Sequence, residues 1–172
     1  DHNNGKVLAA SINLDAIAIA AKRDDMKINE KSEGHGLNEV DISTLSPDEA
    51  EYGRSSSMIK GVAAGLKEKG YEIGGFDACT TSDVMGGSGL SSSAAFEVLI
   101  ATVINHLYND GKIDAVTVAK AAQFSENVYF GKPSGLLDQM ASSVGTFVTI
   151  DFKDTANPVI KKVDFDFAKS GY

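Results

Sequence analysis

Glycine, serine and alanine crowd one short stretch, Gly86-Gly87-Ser88-Gly89-Leu90-Ser91-Ser92-Ser93-Ala94-Ala95, and a long helical pattern begins directly behind it. A chain built this way must fold a tight, backbone-exposing turn against the start of a helix. Glycines let the main chain turn so that successive N–H groups point inward. The helix start adds unpaired donors and a partial positive charge. A phosphate fits such a turn and would be held mostly by main chain. The plainer reading of this composition is a flexible Gly/Ser linker. The serines that run straight into a helix, and the carboxylates downstream, favour the anion site.

Strand and helix patterns surround that loop. Residues 6–22 are rich in β-branched and small apolar residues, and Arg23-Asp24-Asp25 can turn them into the alternating Met26-Lys27-Ile28-Asn29, which predicts a β-hairpin. Residues 31–38 read as a loop and 40–43 as a short strand. Ser46-Pro47-Asp48-Glu49 has the form of a capping box with Pro at the first helical position, and that helix should break near Gly53. Met58, Ile59, Val62, Ala63 and Leu66 form a second helical face ending at Gly70. Residues 76–82 read as a strand delivering the chain to the glycine loop, with a helix over 91–108 behind it. Asp114 can cap a further helix to about Tyr129, and a short helix is expected from Ser134 to Gly145. Strands over 147–152 and 159–165, joined through Asn157-Pro158, complete the order. Strands, then helices, then strands indicate α+β, with helices packed on a mixed or antiparallel sheet.

With 172 residues and 42% hydrophobic content the chain can bury one sizeable core, so a single domain over 1–172 is expected. The net charge of −8 argues against nucleic acid or an anionic membrane as partner. ATP remains compatible, because helix ends and Mg²⁺ handle phosphates locally. Cys79 is the only cysteine, which suits a reducing, cytoplasmic setting. The apolar run over 12–21 is interrupted by Asn13 and Asp15 and is too short to span a bilayer. Turn chemistry at Asp1-His2-Asn3-Asn4-Gly5 leads straight into a strand, as in a sequence cut into rather than begun.

The loop is not a P-loop, since no Gly-Lys-Ser/Thr closes it, and Ser92 stands at the third glycine position of a dinucleotide fingerprint. Positive charge must therefore come from elsewhere, and a magnesium ion is the simplest source. Serine hydroxyls at a helix start can ligate Mg²⁺, but a hard cation also wants a carboxylate. Glu126, on a mostly apolar helix, is a candidate; it also reads as a glutamate on the solvent edge of that helix. Asp138, in Gly135-Leu136-Leu137-Asp138-Gln139-Met140, is the more suggestive acid, although the helix dipole alone favours an acid in a first turn. His2, His35 and His106 have no metal-ligand spacing, and Gly87-Ser88-Gly89 puts its serine in the wrong register for a nucleophile elbow.

The residues Gly87 to Glu97 resemble the phosphate-binding motif of the GHMP kinases, and within them of the galactokinases. Ser134-Gly135-Leu136-Leu137-Asp138-Gln139 is similar to the galactokinase Cys-Gly-(Ile/Leu)-Met-Asp-Gln segment, whose aspartate is catalytic. Glu126 precedes Asp138 by twelve residues, the interval between the family's metal-binding glutamate and that aspartate. Asp1-His2-Asn3-Asn4-Gly5 resembles the tail of the galactokinase signature Gly-Glu-His-Thr-Asp-(Tyr/His)-Asn-x-Gly. Met85 replaces the family's usual Pro and Ser134 its Cys, while the preceding arginine, the Glu-His sugar contacts and the C-terminal lobe have no counterpart here.

The resemblance implies a ribosomal-protein-S5-domain-2-like N-terminal lobe trimmed at both ends, from a kinase that phosphorylates the C1 hydroxyl of galactose with ATP. It implies that Gly86, Gly87, Ser88, Gly89, Leu90, Ser91, Ser92 and Ser93 hold ATP, and that Ser92 or Ser93 with Glu126 hold Mg²⁺. Asp138 would act on the sugar hydroxyl, with Asp1 and Gly135 as further sugar contacts. Two alternatives accompany it: a kinase for another sugar such as N-acetylgalactosamine, and a non-catalytic galactose- and ATP-binding sensor on the same scaffold. The sensor lacks a Ser-Ala pair in this loop, whereas Ser93-Ala94 is present here.

Overall fold

The computed structural model describes residues 3–165 and 169. Seven strands among them form two sheets, where a single sheet was expected. β1 (Lys6–Ala10), β6 (Phe147–Asp151) and β7 (Val159–Val163) make an antiparallel three-stranded sheet in the order β1-β6-β7. β2 (Ala16–Lys22), β3 (Lys27–Ser32), β4 (Leu37–Asp41) and β5 (Phe76–Ser82) make a mixed sheet in the order β2-β5-β3-β4. Only the β3–β5 pair is parallel.

The expected hairpin of residues 6–29 does not form, because β5 runs between β2 and β3. The bend at 23–26 is held open for it. Arg23 N–H donates to Gly75 O at 2.9 Å, and Gly75 N–H donates to Asp25 O at 3.0 Å. The Arg23 guanidinium bridges Asp25 and Asp77, and Asn29 Nδ2 donates to Asp77 Oδ1, so polar groups of the bend, β3 and β5 meet where a two-residue turn would close. β3 also reaches Ser32 and β4 begins at Leu37, which reduces the loop expected over 31–38 to four residues.

α1 (Ser55–Glu68) and α2 (Ser92–Tyr108) cover the mixed sheet, and α3 (Ala115–Phe124) packs against both helices. Ile28, Ile42 and Phe76 of the sheet side meet Ile59, Val62 and Leu66 of α1, Ile100 and Ile104 of α2, and Ala121 of α3, all fully buried. A smaller cluster of Ala119, Leu136, Met140, Val148, Ile150 and Phe152 joins α4 (Leu137–Val144) to the three-stranded sheet.

Local signals place most helix ends. Asp114 caps α3 by accepting from Val116 and Thr117 N–H, each at 3.0 Å. Asn109, Asp110 and Gly111 end α2, the last two at positive φ. The capping box at 46–49 is not used as such. Asp48, not Ser46, accepts from Ala50 N–H at 2.9 Å and caps a single 3-10 turn, Glu49–Glu51. The last short helix starts at Leu137 rather than Ser134. Asn127 Oδ1 takes the Ser134 N–H at 2.6 Å, while Ser134 O accepts from Gln123 and Asn127, so residue 134 is held outside the helix.

Candidate functional site

The loop after β5 passes through three left-handed residues before α2 begins: Gly87 (φ 75), Gly89 (φ 78) and Ser91 (φ 63). Ser91 is the N-cap of α2, and in that conformation its side chain makes no capping bond. The first main-chain bond of α2 is Ala95 N–H to Ser91 O at 3.1 Å. The N–H groups of the first turn are thus left facing the loop without a side-chain cap, as an anion site requires. Gly86, Ser92 and Ser93 line a cleft of about 690 Å³, with Ser32, Asn38, Ser55, Thr80, Phe96 and Phe130 around it. Gly87, Ser88, Gly89 and Leu90 are exposed and lie outside that lining.

At Gly89 a β-carbon would meet nothing within 4 Å, so backbone conformation alone demands glycine there. Gly89→Val is expected to strain the turn by about 1–2 kcal/mol and weaken ATP binding by about tenfold or more. Calorimetric titration of the folded variant with ATP checks this, and an unchanged affinity would make the loop a linker.

Glu126 lies inside the protein. The solvent-edge alternative fails: the residue is only 2% exposed. After Phe124 the helix widens into a π turn, Ser125–Tyr129, which rotates Glu126 inward. The close approach of α1 makes room for this turn. A β-carbon on Gly61 would stand 2.8 Å from Ser125 Cα, Ser125 Oγ and Tyr129 Cβ. Ser125 Oγ donates to Met58 O at 2.8 Å and completes the seam. Gly61→Ala is therefore expected to destabilise by about 1–3 kcal/mol through overpacking, against a helix-propensity gain of up to about 1 kcal/mol. Denaturant melts decide the sign, and a variant more stable than the parent would refute the seam.

Three donors converge on the Glu126 carboxylate. Ser93 Oγ and Lys132 Nζ donate to Oε1 at 2.9 and 2.8 Å, and Gln139 Nε2 donates to Oε2 at 2.6 Å. Burial by itself would raise the Glu126 carboxyl, but the hydrogen bond from Lys132, helped by Ser134 and Ser93, holds it below its ordinary value. The same bond raises Lys132. The structure thereby joins the first turn of α2 (Ser93), the π turn (Glu126), the following loop (Lys132) and α4 (Gln139).

Asp138, next to Gln139, is exposed in the first turn of α4. Its charge contributes to raising Lys132. Gly135 is half-buried beside the anchored Ser134. The sugar contact expected of Asp1 lies outside the described residues.

Lys132, Gln139 and the buried Glu97 were not singled out from sequence. The loop brings no lysine of its own, yet Lys132 reaches its supporting carboxylate from six residues beyond Glu126. The signal for Glu97 was an acid four residues after Ser93 on an apolar helix; for Gln139 it was adjacency to Asp138.

Among the described residues no three His, Cys, Asp or Glu side chains gather into a cation cage. The donor set at Glu126 and Ser93 still fits magnesium, which commonly takes one or two carboxylates and completes its shell with substrate phosphates and water. No described helix is long and apolar enough to cross a membrane.

Residues 53–146 match the family described as GHMP kinases N terminal domain. The galactokinase of Clostridium tetani is 35% identical over 148 residues, covering 84% of this chain and 37% of that protein. The galactokinase of Pyrococcus furiosus is 38% identical over 155 residues, covering 90% and 42%. The chain thus spans well under half the length of these relatives. The crystal structure of Lactococcus lactis galactokinase complexed with galactose superposes with a TM-score of 0.82 at 30% identity, covering 96% of this chain and 44% of that one.

Proposed function

Because the chain belongs to the GHMP kinase family, as the match over more than half its residues shows, we propose that it provides the phosphate-holding and acid–base groups of a galactokinase. The proposed reaction moves the γ-phosphoryl group of ATP to the C1 hydroxyl of galactose, giving galactose 1-phosphate and ADP. The observation that carries this reading is the Ser93–Glu126–Gln139 linkage, which ties the phosphate-type loop to the helix bearing Asp138. The galactose-complexed relative supports the choice of sugar.

In this reading the main chain over Gly86–Ser93 and the uncapped first turn of α2 receive the phosphates. The adjoining 690 Å³ cleft takes the nucleoside. Glu126, with Ser92 or Ser93, holds Mg²⁺, which neutralises phosphate charge when bound. Lys132, ion-paired with Glu126, adds a cation beside it. Asp138 orients the sugar C1 hydroxyl and accepts its proton as the oxygen bonds to phosphorus and the bond to the ADP oxygen breaks. The Gly135 main chain and Asp1 contact other sugar hydroxyls. Phosphoryl transfer depends mainly on positioning and charge neutralisation, so few groups suffice. A reducing, cytoplasmic setting suits ATP use and the exposed, free Cys79.

The test joins this chain to the segments of the Lactococcus lactis galactokinase outside the matched stretch and measures ADP release over a sugar panel. Galactose-dependent release is the expected result. Release only with another sugar would overturn the substrate; binding of ATP and galactose without release would favour the sensor. In the same protein Glu126→Ala is expected to raise the Mg²⁺ concentration for half-maximal rate by about tenfold or more, with Glu126→Asp milder. An unaltered magnesium titration would remove Glu126 from the metal site.

A further inference from the structure

Two fully buried polar side chains near Glu126 have unpaired atoms. Gln139 is 0% exposed and donates from Nε2 to Glu126 Oε2 at 2.6 Å, while its Oε1 has no partner. Glu97 is likewise 0% exposed, and neither of its carboxyl oxygens is hydrogen-bonded. An ionised carboxylate so placed would bear the full cost of an unpaired buried charge. Burial, and then the nearby Glu126 charge, push Glu97 up to about 8, against weaker opposing pulls from Ser125 and Gln139.

We propose that Gln139 is a positioning residue for the Glu126 carboxylate, its fully buried amide donating to Oε2 and fixing how the carboxylate points. The inference rests on the reading of Glu126 as the cation-binding carboxylate. An amide is free to present either end, and only its NH₂ end suits a carboxylate. With Oε2 occupied by Gln139, Glu126 keeps Oε1 directed at Ser93 and the loop. The same bond secures the first turn of α4, where Asp138 is the preceding residue. One buried amide therefore sets the carboxylate behind the phosphates and the acid facing the acceptor in register.

The experiment measures ATP affinity of this 172-residue chain with Mn²⁺ present and with the metal chelated. The ratio of the two reports the metal's contribution, and melting temperature is recorded alongside. Gln139→Met is expected to reduce the ratio about tenfold while leaving metal-free ATP affinity unchanged, as loss of an outer-shell partner does. Gln139→Asn, whose amide is one methylene short of Glu126 Oε2, is expected to lower the ratio as well, by less than Gln139→Met. A merely structural role would shift melting temperature alone, and an unchanged ratio in Gln139→Met would overturn the proposal. If that variant fails to fold, Gln139→Asn decides: an unchanged ratio there would overturn the proposal. A wild-type chain that binds ATP with no metal enhancement would defeat the cation reading of Glu126 and this inference with it.

Discussion

Asp138→Asn, in the chain joined to the remaining segments of a galactokinase, is expected to lower sugar-dependent turnover by about 10² to 10⁴, or roughly 3 to 5 kcal/mol of transition-state stabilisation. The amide keeps the shape of the side chain but can neither accept the sugar proton nor present a negative charge to it. Asp138 is exposed, so the substitution leaves no cavity and no buried group unpaired. ATP binding should change little, because the loop and Glu126 are untouched. The competing account makes Asp138 a first-turn acid favoured by the dipole of α4. On that account the same change costs under about 1 kcal/mol of stability and leaves the rate nearly alone. Turnover and melting temperature, measured together, separate the two. Near-normal turnover would end the catalytic assignment.

Glu97→Gln is expected to make the protein more stable at neutral pH and to flatten its pH dependence. The folded state keeps a proton on Glu97 up to about pH 8, whereas the unfolded chain releases it near 4.5. Between those values the native state binds more protons than the unfolded one, so stability falls as pH rises. Below about pH 4.5 the residue contributes no slope, and above about pH 8 the loss is complete. At pH 7 the penalty amounts to as much as about 3 kcal/mol, and a neutral amide of the same shape does not incur it. Denaturant melts from pH 5 to 8 should show the variant and parent diverging with rising pH. Parallel curves across that window would mean that Glu97 ionises in the folded protein as it does in the unfolded one.

Much of the local framework was legible. Asp114 caps α3, Gly70 and Gly111 follow the ends of their helices, and the glycine-serine run turns directly into α2. These features depend on backbone sterics and on hydrogen bonds within a few residues, which side-chain type alone largely settles. The order β5, loop, α2 and the spacing of Glu126 and Asp138 also came from the chain itself.

Other features needed the folded protein. In β2 the alanines Ala18 and Ala20 face the core while Ile17 and Ile19 are exposed, which inverts the side that residue size would suggest. α2 packs on that strand, and small residues permit its approach. Likewise β2 and β3 look like a hairpin, yet β5, more than 40 residues further on, pairs with both. Glu126, a candidate metal carboxylate, also read as a solvent-edge acid because helical periodicity assumes 3.6 residues per turn, and the π turn breaks that count. Chemistry among near neighbours made the Asp114 cap, the helix-ending glycines and the turn from the glycine-serine run into α2 readable in the chain alone. Packing between segments far apart in the chain sets which sheet each strand joins and brings Ser93, Lys132 and Gln139 to Glu126, where their donors pair a buried carboxylate that local preference cannot satisfy.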